Sequence, residues 1–316
     1  VSLPHCVNAR DAVDPDVNYY QGPAWYRTQL QIANPYPNGR TILHFEGAGQ
    51  KTDVYIYTSK VGSHVGGYDE FSVDITEAVE AFKKTPVYHE QFKEKIPVAI
   101  RTDNSRDLEL IPSDLSDFNL YGGIYRYLNL VYQPALSIDK LFPLAETDKT
   151  GKTGKLLLRP RFYNPSNRAS VKAVIKLFDP AGKQVHELLK DINPSEAGVV
   201  AEIMVKNPQL WSPDAPRLYT VEVSWDNYRY TEKIGFRHFE FIEKGPFYLN
   251  GKRLLLRGTH RHEDHAGVAA AMTEEIMRKE MIMMKEMGVN FIRLGHYQQS
   301  RIILDLCDSL GILVWE

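Results

Sequence analysis

The sequence predicts a multidomain, mainly β protein: two successive β-sandwiches, then the first strands and helices of a parallel α/β architecture. Three observations carry this. Short runs with a period of two, punctuated by turn residues, fill residues 1–133 and resume with different content over 134–242. From residue 243 the texture changes to strand–helix–strand–helix–strand, the pattern of parallel strands joined by crossovers. The length, 316 residues, accommodates two or three domains of roughly 100–200 residues each.

In the first segment residues 25–32 alternate, with Tyr26, Thr28, Leu30 and Ile32 on one face, and 53–58, 96–102 and 125–132 do the same. Asn34-Pro35, Pro37-Asn38-Gly39, Gly47-Ala48-Gly49 and Gly66-Gly67 supply the turns. Many short strands at this spacing make a sandwich or jelly roll. In the second segment 155–163, 173–178, 199–205 and 219–225 read as strands, between turns at Asn164-Pro165, 179–182 and Ser212-Pro213-Asp214. About 100 residues of this kind fit an immunoglobulin-like sandwich, held by packing because no cysteine pair is available to staple it.

The third segment opens with a short strand at 253–257. A helix over 273–287 follows, with Thr273 as N-cap, Glu274 and Glu275 in its first turn and Gly288 to stop it. A strand at 291–294, a helix at 301–310, Gly311 and a strand running to Glu316 complete it. This is the start of a barrel or of a doubly wound sheet. Three strands cannot close an eight-stranded barrel, so an open sheet with exposed apolar edges is expected. Met277, Met281, Met283, Met284 and Met287 are expected to fill the core against that sheet.

Composition excludes several classes. Hydrophobic residues at 43% and charged residues at 25% are ordinary for a globular chain, and a net charge of −2 with scattered signs offers neither a nucleic-acid groove nor a polybasic membrane patch. No run approaches the ~20 apolar residues of a membrane span. Cys6 and Cys307 lie at opposite ends and form no disulfide framework or zinc spacing; Cys307, within an apolar helical pattern, is expected to be a buried, inert thiol. The chain starts at Val1 rather than Met, which is compatible with a signal peptide removed or never included; a periplasmic or secreted location is slightly favoured over a cytoplasmic one.

Working residues in parallel α/β folds sit at the carboxyl ends of strands. Residues 257–265 (Arg-Gly-Thr-His-Arg-His-Glu-Asp-His), 293–298 (Arg-Leu-Gly-His-Tyr-Gln) and Trp315-Glu316 occupy such positions. Histidines, arginines, acids and aromatics converging there suit a polyhydroxylated ligand such as a sugar. The run His262-Glu263-Asp264-His265 lacks the spacing that puts two imidazoles on one helical face, so no metal is assigned.

At these residues the sequence resembles glycoside hydrolase family 2. The stretch from Asn250 to Glu263 resembles the segment leading into that family's barrel. Arg293-Leu294-Gly295-His296-Tyr297, and Leu306-Cys307-Asp308 with Gly311, resemble its next segments. Asn207-Pro208-Gln209-Leu210-Trp211-Ser212-Pro213, Leu218-Tyr219 and Ile234-Gly235-Phe236-Arg237 resemble its immunoglobulin-like domain. Gly66-Gly67-Tyr68, Phe71, Asp74-Ile75-Thr76 and Gly122-Gly123-Ile124-Tyr125-Arg126 resemble its N-terminal jelly roll. The resemblance implies a galactose-binding-like jelly roll over 1–133, an immunoglobulin-like sandwich over 134–242 and a truncated (β/α)8 barrel over 243–316.

It further implies a retaining glycosidase that releases terminal β-galactose from a β-galactoside oligosaccharide or glycan, because Arg261-His262-Glu263 and His296-Tyr297-Gln298 are closer to the β-galactosidases. β-Glucuronidase and β-mannosidase are the alternatives within the family, and a non-catalytic carbohydrate-binding module is the alternative outside it. His262 and His296 would bind the sugar, Asp117 would bring a carboxylate from the jelly roll (or be a solvated loop acid), and Arg261, Glu263 and Arg293 would orient the histidines or shape the pocket. The role of Glu316 is open. The two catalytic glutamates, about 5–5.5 Å apart in retaining enzymes, are expected after residue 316, the acid/base within an Asn-Glu pair that this sequence lacks. The polypeptide alone is thus expected to be inactive. No cofactor is identified; sodium or magnesium in related β-galactosidases would be held mostly by residues outside this chain. Homo-oligomerisation stays open.

Overall fold

The computed structural model describes residues 1–11, 20–111, 118–196 and 198–316. In the first part lie β1 (His5–Cys6), β2 (Pro23–Leu30), β3 (Arg40–Phe45), β4 (Lys51–Ile56), β5 (Ser59–Val65) and β6 (Phe71–Asp74), followed by α1 (Thr76–Lys83) and α2 (Pro86–Glu90). β7 (Ile96–Asp103), β8 (Gly123–Ile124) and β9 (Leu128–Gln133) complete it. An antiparallel sheet in the order β2-β7-β4-β5 faces a second in the order β6-β3-β9. Their inward residues, among them Leu43, Phe45, Val54, Ile56, Val73, Val98 and Ile100, share one core. β7 shows the cause: its residues alternate strictly between buried and half-buried, so Ile96, Val98 and Ile100 point inward together.

The second part comprises β10 (Ser137–Thr147), β11 (Thr153–Tyr163), β12 (Val171–Phe178), β13 (Gln184–Ile192), β14 (Ala201–Lys206), β15 (Tyr219–Trp225) and β16 (Tyr228–Ile234). Antiparallel sheets β10-β11-β14 and β13-β12-β15-β16 enclose a core that includes Leu156, Leu158, Ile175, Leu177, Ile203, Val221, Val223 and Phe236. Neither free cysteine takes part in it.

A three-stranded antiparallel meander, β17 (Phe239–Phe241), β18 (Phe247–Leu249) and β19 (Lys252–Arg253), leads into the third part. There β20 (Gly258–Arg261), α3 (Glu274–Glu286), β21 (Phe291–Leu294), α4 (Arg301–Leu310) and β22 (Leu313–Trp315) form parallel strands in the order β20-β21-β22, with the helices as crossovers. Residues 253–257 were expected to be the first strand of this sheet; they are not. Lys252 and Arg253 pair back onto β18, and the parallel sheet begins at Gly258. The helices start and stop as their sequences dictate. The Thr273 hydroxyl accepts from the Ile276 N–H and Gly288 (φ 85) follows the end of α3; Ser300 caps α4, and Gly311 in the left-handed region (φ 73) ends it. Of the methionine stripe, Met277 and Met281 are buried against the sheet, while Met283 and Met287 are exposed. Trp315 at the open edge is 62% exposed.

The third part is gripped from two sides. The Trp211 indole donates to the Asp308 carbonyl (2.8 Å) and Lys285 Nζ to the Pro213 carbonyl (2.8 Å), tying the second sandwich to both helices. Arg126, beside β8 in the first sandwich, reaches Glu263. No described helix is long and apolar enough to cross a membrane.

Candidate active site

Parallel pairing brings the carboxyl ends of three strands to one edge, with Arg261 opposite Leu294 and Arg293 opposite Trp315. His262, His296 and Glu316 all leave the sheet there. His260 and His262, two apart on an extended chain, project to the same side, and their rings stack at 5.0 Å. Arg261 projects to the other side. His296 meets both rings at 5.2 Å and is itself held at φ 66, a backbone region that few non-glycine residues adopt.

Arg293 organises this cluster. Its Nη1 lies 3.0 Å from His260 Nε2 and its Nη2 lies 3.3 Å from His296 Nδ1. A guanidinium only donates, so His296 Nδ1 must offer a lone pair, which leaves its Nε2 carrying the proton and free to donate to a ligand hydroxyl. One nitrogen from each of His260, His262 and His296 lies within 4.8 Å of the others, a spacing that could hold a metal ion. The positive charge of Arg293 against two of those rings opposes a cation there.

Aromatic walls complete the pocket. Phe118 stacks nearly parallel on His296 (5.5 Å, 8°) and lies 5.3 Å from Tyr297. Tyr68 of the first sandwich stacks on Tyr297 at 3.9 Å. The Tyr297 hydroxyl accepts from the Glu263 N–H (3.0 Å), and burial pushes its phenol up to about 12. A cavity of about 320 Å³ opens beside Arg293, His296, Tyr297, Trp315 and Glu316.

Beneath lies a dry polar network. Arg126 and Glu263, with side chains each 2% exposed, pair at 2.7 Å, and Glu263 Oε2 accepts from the Ser300 N–H at 2.7 Å. Arg126 also donates to the carbonyls of Tyr68 (2.7 Å), Glu46 (3.2 Å) and Gln298 (2.6 Å). Burial alone would depress the Arg126 guanidinium, but the Glu263 charge outweighs it and holds the group above its usual value. Arg261 binds Gln299 and Glu280 (3.0 Å). Glu316 accepts from the Gln299 N–H at 3.1 Å, which gives it a place supporting the loop after β21.

As expected from the sequence, His262 and His296 come together, and Arg293 lies against the rings of His260 and His296. The Glu263 carboxylate is engaged by Arg126 and Ser300, and its N–H holds the Tyr297 hydroxyl of the pocket wall. Arg261, between two residues that face the pocket, points the other way, toward Gln299 of the loop after β21 and Glu280 of α3. Asp117 lies outside the described residues. Residues that sequence reasoning had not singled out are His260, Phe118, Tyr68, Tyr297 and Arg126; all but Phe118 stood within quoted motifs, and a charged residue next to a glycine pair and a tyrosine was the available signal for Arg126.

Two family models match the chain, glycosyl hydrolases family 2 over residues 136–237 and the TIM barrel domain of the same family over 241–316, together more than half of it. Among solved structures, the β-glucuronidase of Parabacteroides merdae is 60% identical with a TM-score of 0.96, and covers all of this chain and 40% of its own. β-Glucuronidase 3 of Bacteroides uniformis is 61% identical with a TM-score of 0.95, again over all of this chain and 40% of its own. A β-galactosidase of Thermoanaerobacter pseudethanolicus is 32% identical over all of this chain and 42% of its own length. The chain spans about two fifths of the length of these relatives. It belongs to the glycosyl hydrolases of family 2.

Proposed function

We propose that this chain builds the sugar-holding side of a retaining β-glycosidase site. His262 and His296 donate to hydroxyls of the terminal sugar, Phe118 and Tyr297 wall its apolar face, and Arg293 fixes the tautomers. The single observation that carries this is the convergence of His260, His262, His296 and Arg293 with two aromatic rings at adjacent strand ends. Arg293 forms no ion pair among the described residues. Its charge suits a carboxylate, whether of a catalytic glutamate or of an acidic sugar. We place both catalytic glutamates outside residues 1–316, so the chain by itself binds and does not hydrolyse. The two sandwiches we read as a jelly roll and an immunoglobulin-like domain that brace the barrel.

Two substrates compete. A β-galactoside was favoured by Arg261-His262-Glu263 and His296-Tyr297-Gln298; of these, Arg261 is buried against Glu280 and Gln299, so its identity does not choose. Identity of 60–61% to two β-glucuronidases supports a terminal β-glucuronide as the first reading, with the β-galactoside second on the strength of the 32% identical β-galactosidase. Hydrolysis of nitrophenyl β-glucuronide, β-galactoside and β-mannoside should be measured for this chain and for a version extended through a complete barrel. Turnover of the glucuronide by the extended protein alone supports the proposal, and turnover of galactoside selects the second reading. Hydrolysis by the short chain would refute the placement of the glutamates, and inactivity of both would point to a carbohydrate-binding module.

A further inference from the structure

A second cavity lies elsewhere, on the outer face of the β2-β7-β4-β5 sheet, with a volume of about 530 Å³, within the range of ligand sites. Its origin is in the alternation of three adjacent strands. The middle strand, β7, presents the small residues Pro97 and Ala99 outward and makes a floor. Arg27 of β2 and Tyr55 of β4 flank Ala99 in register, so large side chains rise on both sides. Trp25, half exposed, meets Tyr55 across the floor with ring centroids 5.5 Å apart. Tyr57, 43% exposed, is fixed by edge contacts with Phe82 and Phe92 and by its N–H to the Pro97 carbonyl (2.9 Å). Half-exposed aromatic rings held beside a floor of small residues mark a binding face.

The polar groups decide what binds. Arg27 is the only charged residue lining the groove among the described residues; it lies 5.9 Å from the Trp25 ring centre and forms no ion pair among them. No carboxylate of the described residues lines the groove. Gln29, Thr28 and Thr58 add neutral donors and acceptors. Rigid aromatic faces suit the C–H faces of pyranose rings, the amide and hydroxyls suit sugar hydroxyls, and an unneutralised guanidinium suits a paired-oxygen anion. We infer that this groove binds an acidic oligosaccharide chain, through its carboxylate or sulfate groups and its ring faces, at a second site remote from the strand-end pocket. None of its lining residues is shared with that pocket, so binding here would hold a polymer without competing for the sugar-holding histidines.

The test is gel mobility of this chain in polyacrylamide cast with polygalacturonate (carboxylate only), carrageenan (sulfate only) or dextran (neutral). Retardation by at least one acidic polymer and not by dextran is expected, and which one identifies the anion. Trp25→Ala and Tyr55→Ala should each weaken retention by about tenfold (~1.4 kcal/mol), and Arg27→Ala should abolish the preference for acidic polymer. Unshifted melting of these half-exposed variants checks their fold. The inference is overturned by unchanged mobility in every gel, by retention equal in Trp25→Ala, or by stronger retention in dextran. It is also overturned if sedimentation shows self-association that Trp25→Ala removes, since the face would then be an interface between copies. None of these readouts involves hydrolysis, so failure here is separable from failure of the glycosidase reading.

Discussion

Replacing Arg126 by methionine tests the joint between the first sandwich and the strand-end site. The substitution keeps much of the aliphatic volume and removes the guanidinium. The Glu263 carboxyl, its side chain 2% exposed, would then lose its nearest partner and retain the Ser300 N–H and the more distant Arg261 (3.7 Å). Removing one partner of a buried pair costs about 3–5 kcal/mol. Three carbonyls also lose their donor, but these penalties overlap with the first because water enters the same space, so we take about 4 kcal/mol for the whole. At roughly 2–4 °C per kcal/mol for a chain of this size, melting should fall by about 10 °C. Because the Gln298 carbonyl is one of the three, the turn carrying His296 and Tyr297 loosens, and the sugar binding proposed above should weaken too. Urea denaturation followed by circular dichroism gives the energies. Arg126→Met combined with Glu263→Leu should cost markedly less than the two single losses added. A single-variant cost below about 1 kcal/mol, or strict additivity in the double variant, would refute the argument.

Three further outcomes follow from the same structure. Burial holds the Glu46 carboxyl above the usual glutamate value of 4.5, so the folded chain prefers it protonated. That contribution is fully present below the unfolded value and is lost as pH rises through the folded value, so at neutral pH the carboxylate costs stability. Glu46→Gln should therefore melt higher than wild type at pH ~7, with the advantage shrinking toward pH ~4; an advantage that grew on acidification would sink the reasoning. Burial pushes the Cys307 thiol to about 12 and Cys6 to about 11, so neither should be alkylated by iodoacetamide in the native chain near pH ~8, and both should be in urea, as counted by mass spectrometry. Gly311→Ala should lower stability by about 2 kcal/mol, because a Cβ at φ 73 is strained and would lie 2.5 Å from the Pro213 carbonyl oxygen; a melting temperature within a degree of wild type would contradict this.

The sequence was most legible where one face of an element is buried and the other wet. β7 and β15 alternate in both sequence and burial, and their bounds agree with expectation to within a residue. β13 was missed because its outward face carries Val185 and Leu189, both exposed, so hydrophobicity does not follow the pleat. The histidines were found because they follow apolar runs. Their partners were not, because Phe118 and Arg126 lie more than a hundred residues away and nothing local says which loops will meet. Arg261 was grouped with the supporting residues without a side being assigned to it, and it stands behind the histidines. On a pleated strand the side on which a residue stands depends on the register, and His260 with His262 takes one side while Arg261 takes the other.

The salt link between Arg126 and Glu263 also imposes an order on synthesis. The two residues are 137 positions apart, which at about 5–20 residues per second separates their appearance by roughly ten seconds. During that interval every strand of the first sandwich is already made, yet its most deeply placed charge has no counter-ion and must be kept by water. The nascent sandwich therefore carries a wet, charged socket that only the later segment can dry and close, so the partner that completes the active site is also the one that finishes the fold behind it.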